Sequence, residues 1–107
     1  MTDHELLLEA IRQTQMLGKR SALATIVNVS GSAYRREGTK MLIDEDANLT
    51  GVISGGCLES DVAEVAMSVI ETGTPVLKTY DLGEDVVWGL GLGCPGTVKI
   101  FIEPVRP

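Results

Sequence analysis

Cysteine, histidine and aromatic side chains are scarce in this sequence. Two cysteines, one histidine, one tryptophan, two tyrosines and one phenylalanine stand among 107 residues. Cys57 and Cys94 form no Cys-x-x-Cys, and His4 falls at the start of an expected helix. This points to thiols rather than a disulfide scaffold, and it leaves a zinc site short of ligands within one chain, so no metal ligands are assigned. Long apolar runs are missing too: none approaches the ~20 residues of a membrane span, and the opening MTDHELLLEA lacks a basic leader region. The expectation is a soluble cytoplasmic protein with no membrane partner. Positive charge is also in short supply. Nine Lys and Arg against fifteen Asp and Glu give a net charge of −6, which argues against nucleic-acid binding.

The charges that are present are unevenly placed. From Met41 to Leu77 there is no Lys or Arg, whereas Asp44, Glu45, Asp46, Glu59, Asp61, Glu64 and Glu71 all fall there. Immediately before that stretch stand Arg35, Arg36 and Lys40. This group either holds an anion or forms a solvated turn. An apolar fraction of 44% and a charged fraction of 22% are those of an ordinary globular protein. At this length one core forms, so residues 1–107 are expected to make a single domain that finishes where the chain does.

Local patterns divide the chain into elements. Thr2 and Glu5 make a capping box for a helix over roughly residues 3–18, ended by Gly18. The β-branched run from Ser21 reads as a largely buried strand, followed by strands over 39–44 and 49–54 that form a hairpin. Leu58, Val62, Val65, Ala66, Val69 and Ile70 repeat at helical period, predicting a helix from about Cys57 to Thr72 with Gly73 as its C′ glycine. Strands are expected over 76–80 and 97–103. The fold class is α/β (α+β): a two-layer mixed sheet of about five strands with two main helices.

Three glycine-bearing loops are the candidates for chemistry. In Ser54-Gly55-Gly56-Cys57-Leu58-Glu59 a strand gives way to a helix at Cys57, where orphan N–H groups and the helix dipole bind phosphate and favour a thiolate. Glu59 either supports the dipole or acts as a base or a ligand for a donor-rich heterocycle; a buried structural cysteine is the bland alternative. Gly91-Leu92-Gly93-Cys94-Pro95-Gly96 matches Gly-x-Gly-x-x-Gly by letters. A strand rather than a helix follows it, and Pro95 is badly placed, so a dinucleotide fingerprint is rejected. What remains is either a loop presenting a second thiol or a plain glycine turn. Gly31-Ser32-Ala33-Tyr34-Arg35-Arg36-Glu37-Gly38 brackets two arginines with glycines. Their planar forks suit phosphate, and Ser32 with backbone donors completes such a site. Trp88, beside the second cysteine loop, either stacks on a ring or packs in the core.

Gly31–Met41, Gly51–Glu59 and Gly91–Gly96 occur in the order seen in the XdhC/CoxI family, which this chain resembles over nearly its whole length. Ser54-Gly-Gly-Cys-Leu-Glu59 is the most specific part of the resemblance. Tyr34 replaces a usual proline, and Gly93-Cys-Pro-Gly96 replaces a usual Gly-Cys-Gly-Gly, leaving the arginines and cysteines in place. The family comprises accessory proteins of xanthine dehydrogenase and carbon monoxide dehydrogenase type molybdenum enzymes. Typical relatives carry a Rossmann domain after this one, so the chain looks like the N-terminal domain alone.

The resemblance implies transient binding of the molybdenum cofactor (molybdopterin), help with its sulfuration, and its insertion into the apo-form of a molybdenum hydroxylase. It suggests a maturation factor rather than an enzyme. Ser32, Arg35, Arg36, Ser54, Gly55, Gly56 and Gly93 are the expected cofactor-binding residues; Cys57 and Cys94, with Glu59, are the expected sulfur- or metal-handling ones. A cysteine desulfurase, a separate Rossmann-domain partner and a second copy of the chain complete the expected partners. Two other classes stay open: a thiol-dependent sulfurtransferase or redox protein using Cys57, and a non-catalytic protein-interaction module. For two cysteine loops to serve one ligand, the strands ending at 54 and beginning at 97 must run antiparallel or come from facing subunits.

Overall fold

In a computed structural model the chain is described over residues 2–30, 37–53, 58–81 and 96–106. The first helix, α1 (Asp3–Met16), opens on the expected capping box, with Thr2 Oγ1 accepting the Glu5 N–H at 3.1 Å. It leads into β1 (Ser21–Ser30), after which come β2 (Lys40–Asp44) and β3 (Leu49–Thr50). Helix α2 (Glu59–Thr72) ends at Gly73, whose φ of 72° is the left-handed conformation the sequence required there. Strands β4 (Val76–Asp81) and β5 (Thr97–Val105) follow.

The five strands form one sheet in the order β3-β2-β1-β5-β4. All four pairings are antiparallel, which corrects the expectation of a mixed sheet. The reason lies in where the strand–helix–strand unit sits. β3 and β4, which flank α2 in sequence, do point the same way, but they occupy opposite edges of the sheet. Helix α2 therefore links the two edges of the sheet, and β2, β1 and β5 fill the interior between two strands that never become neighbours.

Alternation of side chains explains the packing. Ala22, Ala24 and Ile26 of β1 share a face with Met41 and Ile43 of β2 and with Val98, Ile100 and Ile102 of β5, and Val62, Ala66, Val69 and Ile70 of α2 pack on that face. Burying each of the isoleucines contributes about 1.5–3 kcal/mol. Small Ala22 and Ala24 at the sheet centre leave room for the helix. On the reverse face, Ser21 and Leu42 are also buried, beyond the reach of α2. Helix α1 lies against β2 and β3 and buries its own Leu7 and Thr14. The α+β architecture of two helices on a five-stranded sheet is thus as expected, with β2 sandwiched between the helices.

Candidate functional site

The topology brings the strand ends that flank the three glycine-bearing segments to one end of the sheet. Ser30, the last residue of β1, is the register partner of Thr97, the first of β5, and Thr97 is also opposite Asp81, the last of β4. Segments 31–36 and 82–95 therefore spring from adjacent strand ends. β3 runs parallel to β1 and so ends toward the same side, where residues 51–53 lead into segment 54–57 and then into α2. β3 and β5 are antiparallel to each other, which is the condition for the two cysteine loops to share a ligand.

Of the expected site residues, only Glu59 lies among those described. Ser32, Arg35, Arg36, Ser54, Gly55, Gly56, Cys57, Gly93 and Cys94 lie outside them, as does Trp88. The helix expected from about Cys57 begins at Glu59, with Leu58 as N-cap. Leu58 makes no side-chain capping hydrogen bond, in contrast to Thr2 on α1. The positive end of the α2 dipole is directed toward the end of the sheet from which the loops spring.

Glu59 does something the sequence did not reveal. Its Oε2 accepts the backbone N–H of Ile53 at 3.0 Å, closing the base of segment 54–57. Glu37 performs the same service for the arginine segment: its Oε2 accepts the Val29 N–H at 2.9 Å, across residues 31–36. On the β2 side of β1, Gly38 N–H donates to Ile26 O at 2.8 Å and Ile26 N–H to Thr39 O at 2.9 Å. The end of β4 is joined to α2, where Tyr80 Oη donates to Asp61 Oδ2 in the first turn of the helix. Burial, then the Asp61 carboxylate, pushes the Tyr80 phenol well above its ordinary value, so it stays neutral and keeps donating.

Two further features border this end. Lys40, third member of the basic group, donates to Thr25 Oγ1 at 3.2 Å and is thereby drawn to the reverse face of the sheet. A cavity of about 460 Å³ lies between the start of α1 and the upper hairpin, lined in part by His4, Leu7, Lys40, Gly51 and Val52. Gly51 has φ of 98°, and a Cβ there would lie 2.6 Å from Lys40 O, so only glycine lets β3 pass this close to β2. Among the described residues no group of three or more His, Cys, Asp or Glu is arranged to hold a metal ion, and no helix is long and apolar enough to cross a membrane.

Comparison with known proteins gives a consistent picture. The XdhC and CoxI family matches over residues 15–81. The chain is 36% identical over 107 residues to a protein of Bacillus subtilis (strain 168) named as a probable xanthine dehydrogenase subunit, an alignment covering 98% of this chain and 32% of that protein. It is 31% identical over 105 residues to the molybdenum cofactor insertion chaperone PaoD of Escherichia coli (strain K12), covering 97% of this chain and 32% of the relative. A crystal structure of a xanthine dehydrogenase from Bacillus halodurans matches with a TM-score of 0.82 and 44% identity, over 99% of this chain and 31% of the other. The chain spans about a third of the length of these relatives.

Proposed function

This chain belongs to the XdhC and CoxI family, and on that premise we propose that it holds the molybdenum cofactor as cargo and delivers it to a xanthine dehydrogenase-type apo-enzyme in the cytoplasm. The observation that supports the reading is that the strand ends leading into the three glycine-bearing segments lie at one end of the sheet. Those segments contain the arginine pair and both thiols. Molybdopterin has a phosphate, a heterocycle with hydrogen-bonding edges and a dithiolene. Arg35 and Arg36, with Ser32, suit the phosphate, as do Gly55 and Gly56 leading into the α2 dipole. Cys57 and Cys94 suit the metal–sulfur end, and help with sulfuration is assigned to the same two thiols. Glycines at 55, 56 and 93 allow the backbone to approach a ligand closely.

Both Glu37 and Glu59 are engaged by backbone N–H groups at the loop bases, which orients their carboxylates toward the sheet. The relatives' names support the reading at the level of the cofactor and of the enzyme served.

Native mass spectrometry of protein purified from a molybdenum-replete host tests the proposal. A cofactor-sized adduct is expected, and its absence under anaerobic purification speaks against cargo binding. Replacing Arg35 and Arg36 together by Gln is expected to weaken cofactor binding by a few kcal/mol, at about 1.5–3 kcal/mol per charge-assisted contact, with the fold retained. Unchanged affinity by calorimetry reduces the pair to a solvated turn.

A further inference from the structure

We infer that α1 is a detachable lid: it leaves the β2–β3 side of the sheet as one unit, turning about Gly18, while the sheet and α2 stay folded. Its release opens the seam that holds the cavity of about 460 Å³. The inference is independent of the cofactor reading.

The two helices are held very differently. Val62, Ala66 and Val69 of α2 are completely buried and Ile70 nearly so, all within the core cluster. By contrast, α1 buries one large apolar side chain, Leu7, and one threonine, Thr14. Among the described residues, Leu7 and Leu42 are the buried apolar side chains that stand outside that cluster. Leu6, Leu8 and Met16 of α1 are 49%, 53% and 73% exposed, so much of its apolar surface gains little from docking.

Polar ties point the same way. The side-chain hydrogen bonds of Thr2, Gln13 and Thr14 begin and end within α1. Among the described residues one side-chain hydrogen bond joins α1 to the rest of the fold, from Gln15 Nε2 to Arg106 O at 3.1 Å, and it is exposed, where a single bond contributes little. Helix α2 is tied at both ends, by Tyr80 at Asp61 and by Arg20 at Ile70 O.

The seam under the first turns of α1 is not filled. Leu6 and Leu7 line the cavity from the helix and Lys40 and Val52 from the hairpin, and walls that face a void lack partners for dispersion contacts. Gly18 supplies the pivot. Its φ is 70° and a Cβ there would meet nothing within 4 Å, so the chain turns at this point without displacing a neighbour. A 14-residue helix off the sheet is marginal in water even with its capping box, so release appears as lost amide protection along the whole of α1.

Native-state hydrogen exchange followed by NMR, over urea concentrations below the unfolding transition, tests the lid. The hydrogen-bonded amides of α1 are expected to show protection about a hundredfold or more below those of α2. Their urea dependence is expected to be shallower, because opening exposes only part of the surface that unfolding exposes. Val69→Ala adds a second arm. Val69 stays buried whether the lid is closed or open, so truncating it brings global unfolding nearer and leaves the opening of α1 untouched. In this variant α2 amides are expected to exchange about tenfold or more faster and α1 amides at the wild-type rate. Ile102→Val, in the same core, repeats the comparison with a milder truncation if Val69→Ala does not fold.

One shared protection factor and urea slope for α1 and α2 overturns the lid, since the helix then leaves only with the whole fold. Acceleration of α1 together with α2 in either variant overturns it as well. So does an α1 with no protection at all, because such a helix is not docked.

Discussion

Gly51→Ala is expected to be the most damaging single-methyl addition among the described glycines, and its cost can be built up from the coordinates. Gly51 has φ of 98°, a region that disfavours any L side chain. That conformation by itself costs about 1–2 kcal/mol. The new Cβ would lie 2.6 Å from Lys40 O and 3.3 Å from Met41 Cα, both backbone atoms of β2. Met41 is completely buried beneath α2, so β2 cannot yield without disturbing the core. A forced shift of this kind adds about 1–3 kcal/mol. The sum, about 2–5 kcal/mol, lowers the melting temperature by roughly 10 °C or more for a domain of this size.

Gly73 and Gly38 serve as internal controls. Their φ angles are 72° and 90°, and a Cβ at either meets nothing within 4 Å. Alanine there carries the conformational cost without the clash, so Gly73→Ala and Gly38→Ala are expected to lose only about 1–2 kcal/mol. Urea unfolding of the three variants, followed by far-ultraviolet circular dichroism, gives the comparison. Gly51→Ala losing no more than Gly73→Ala would refute the close-approach argument, and with it the claim that β3 must pass this near to β2 to deliver residues 51–53 to the loop.

Three further outcomes are expected. Burial pushes the Asp44 carboxyl up, but hydrogen bonds from the Asn48 N–H, the Asn48 side chain and the Asp46 N–H, with Lys19 nearby, outweigh it and hold it below its usual 3.8. A depressed value means stability that is present above 3.8 and lost as pH falls through the folded-state value, so Asp44→Asn should flatten the acid limb of a stability–pH curve; parallel limbs would exclude this role. Tyr80→Phe removes the donor to Asp61 and should cost on the order of 1 kcal/mol in urea unfolding, whereas an unaltered midpoint would mean that the tether at the end of β4 carries no net energy. Cys57, two residues ahead of α2, should titrate below about 8.5 and alkylate faster than Cys94 in iodoacetamide mapping; equal rates would remove its nucleophilic role.

Much of the fold was legible in local chemistry. Thr2 and Glu5 announced the start of α1, Gly73 the end of α2, and the period of Val62, Ala66, Val69 and Ile70 the face that α2 buries. These are short-range signals: caps and periodicity depend on residues a turn apart, and tertiary contacts only reinforce them. The order and direction of strands was not legible in the same way. A strand–helix–strand segment is compatible with adjacent parallel strands or, as here, with two edge strands separated by three others, and only long-range pairing of β1 with β5 chooses between them.

The candidate site divides along the same line. Residue types alone identified two arginines, two thiols and glycine-rich turns as the chemistry-bearing parts, because those functions depend on what a side chain is. Glu37 and Glu59 gave no comparable signal, since a glutamate in a turn reads as solvated charge until the backbone N–H it meets is known. Sequence by itself thus determined the elements and the inventory of reactive groups. Tertiary structure decided that Ser30, Asp81 and Thr97 lie side by side, and hence that two segments distant in sequence spring from one end of the sheet. The physical reason is that strand register is set by burial of the alternating apolar face across the whole sheet, a condition that no single segment carries.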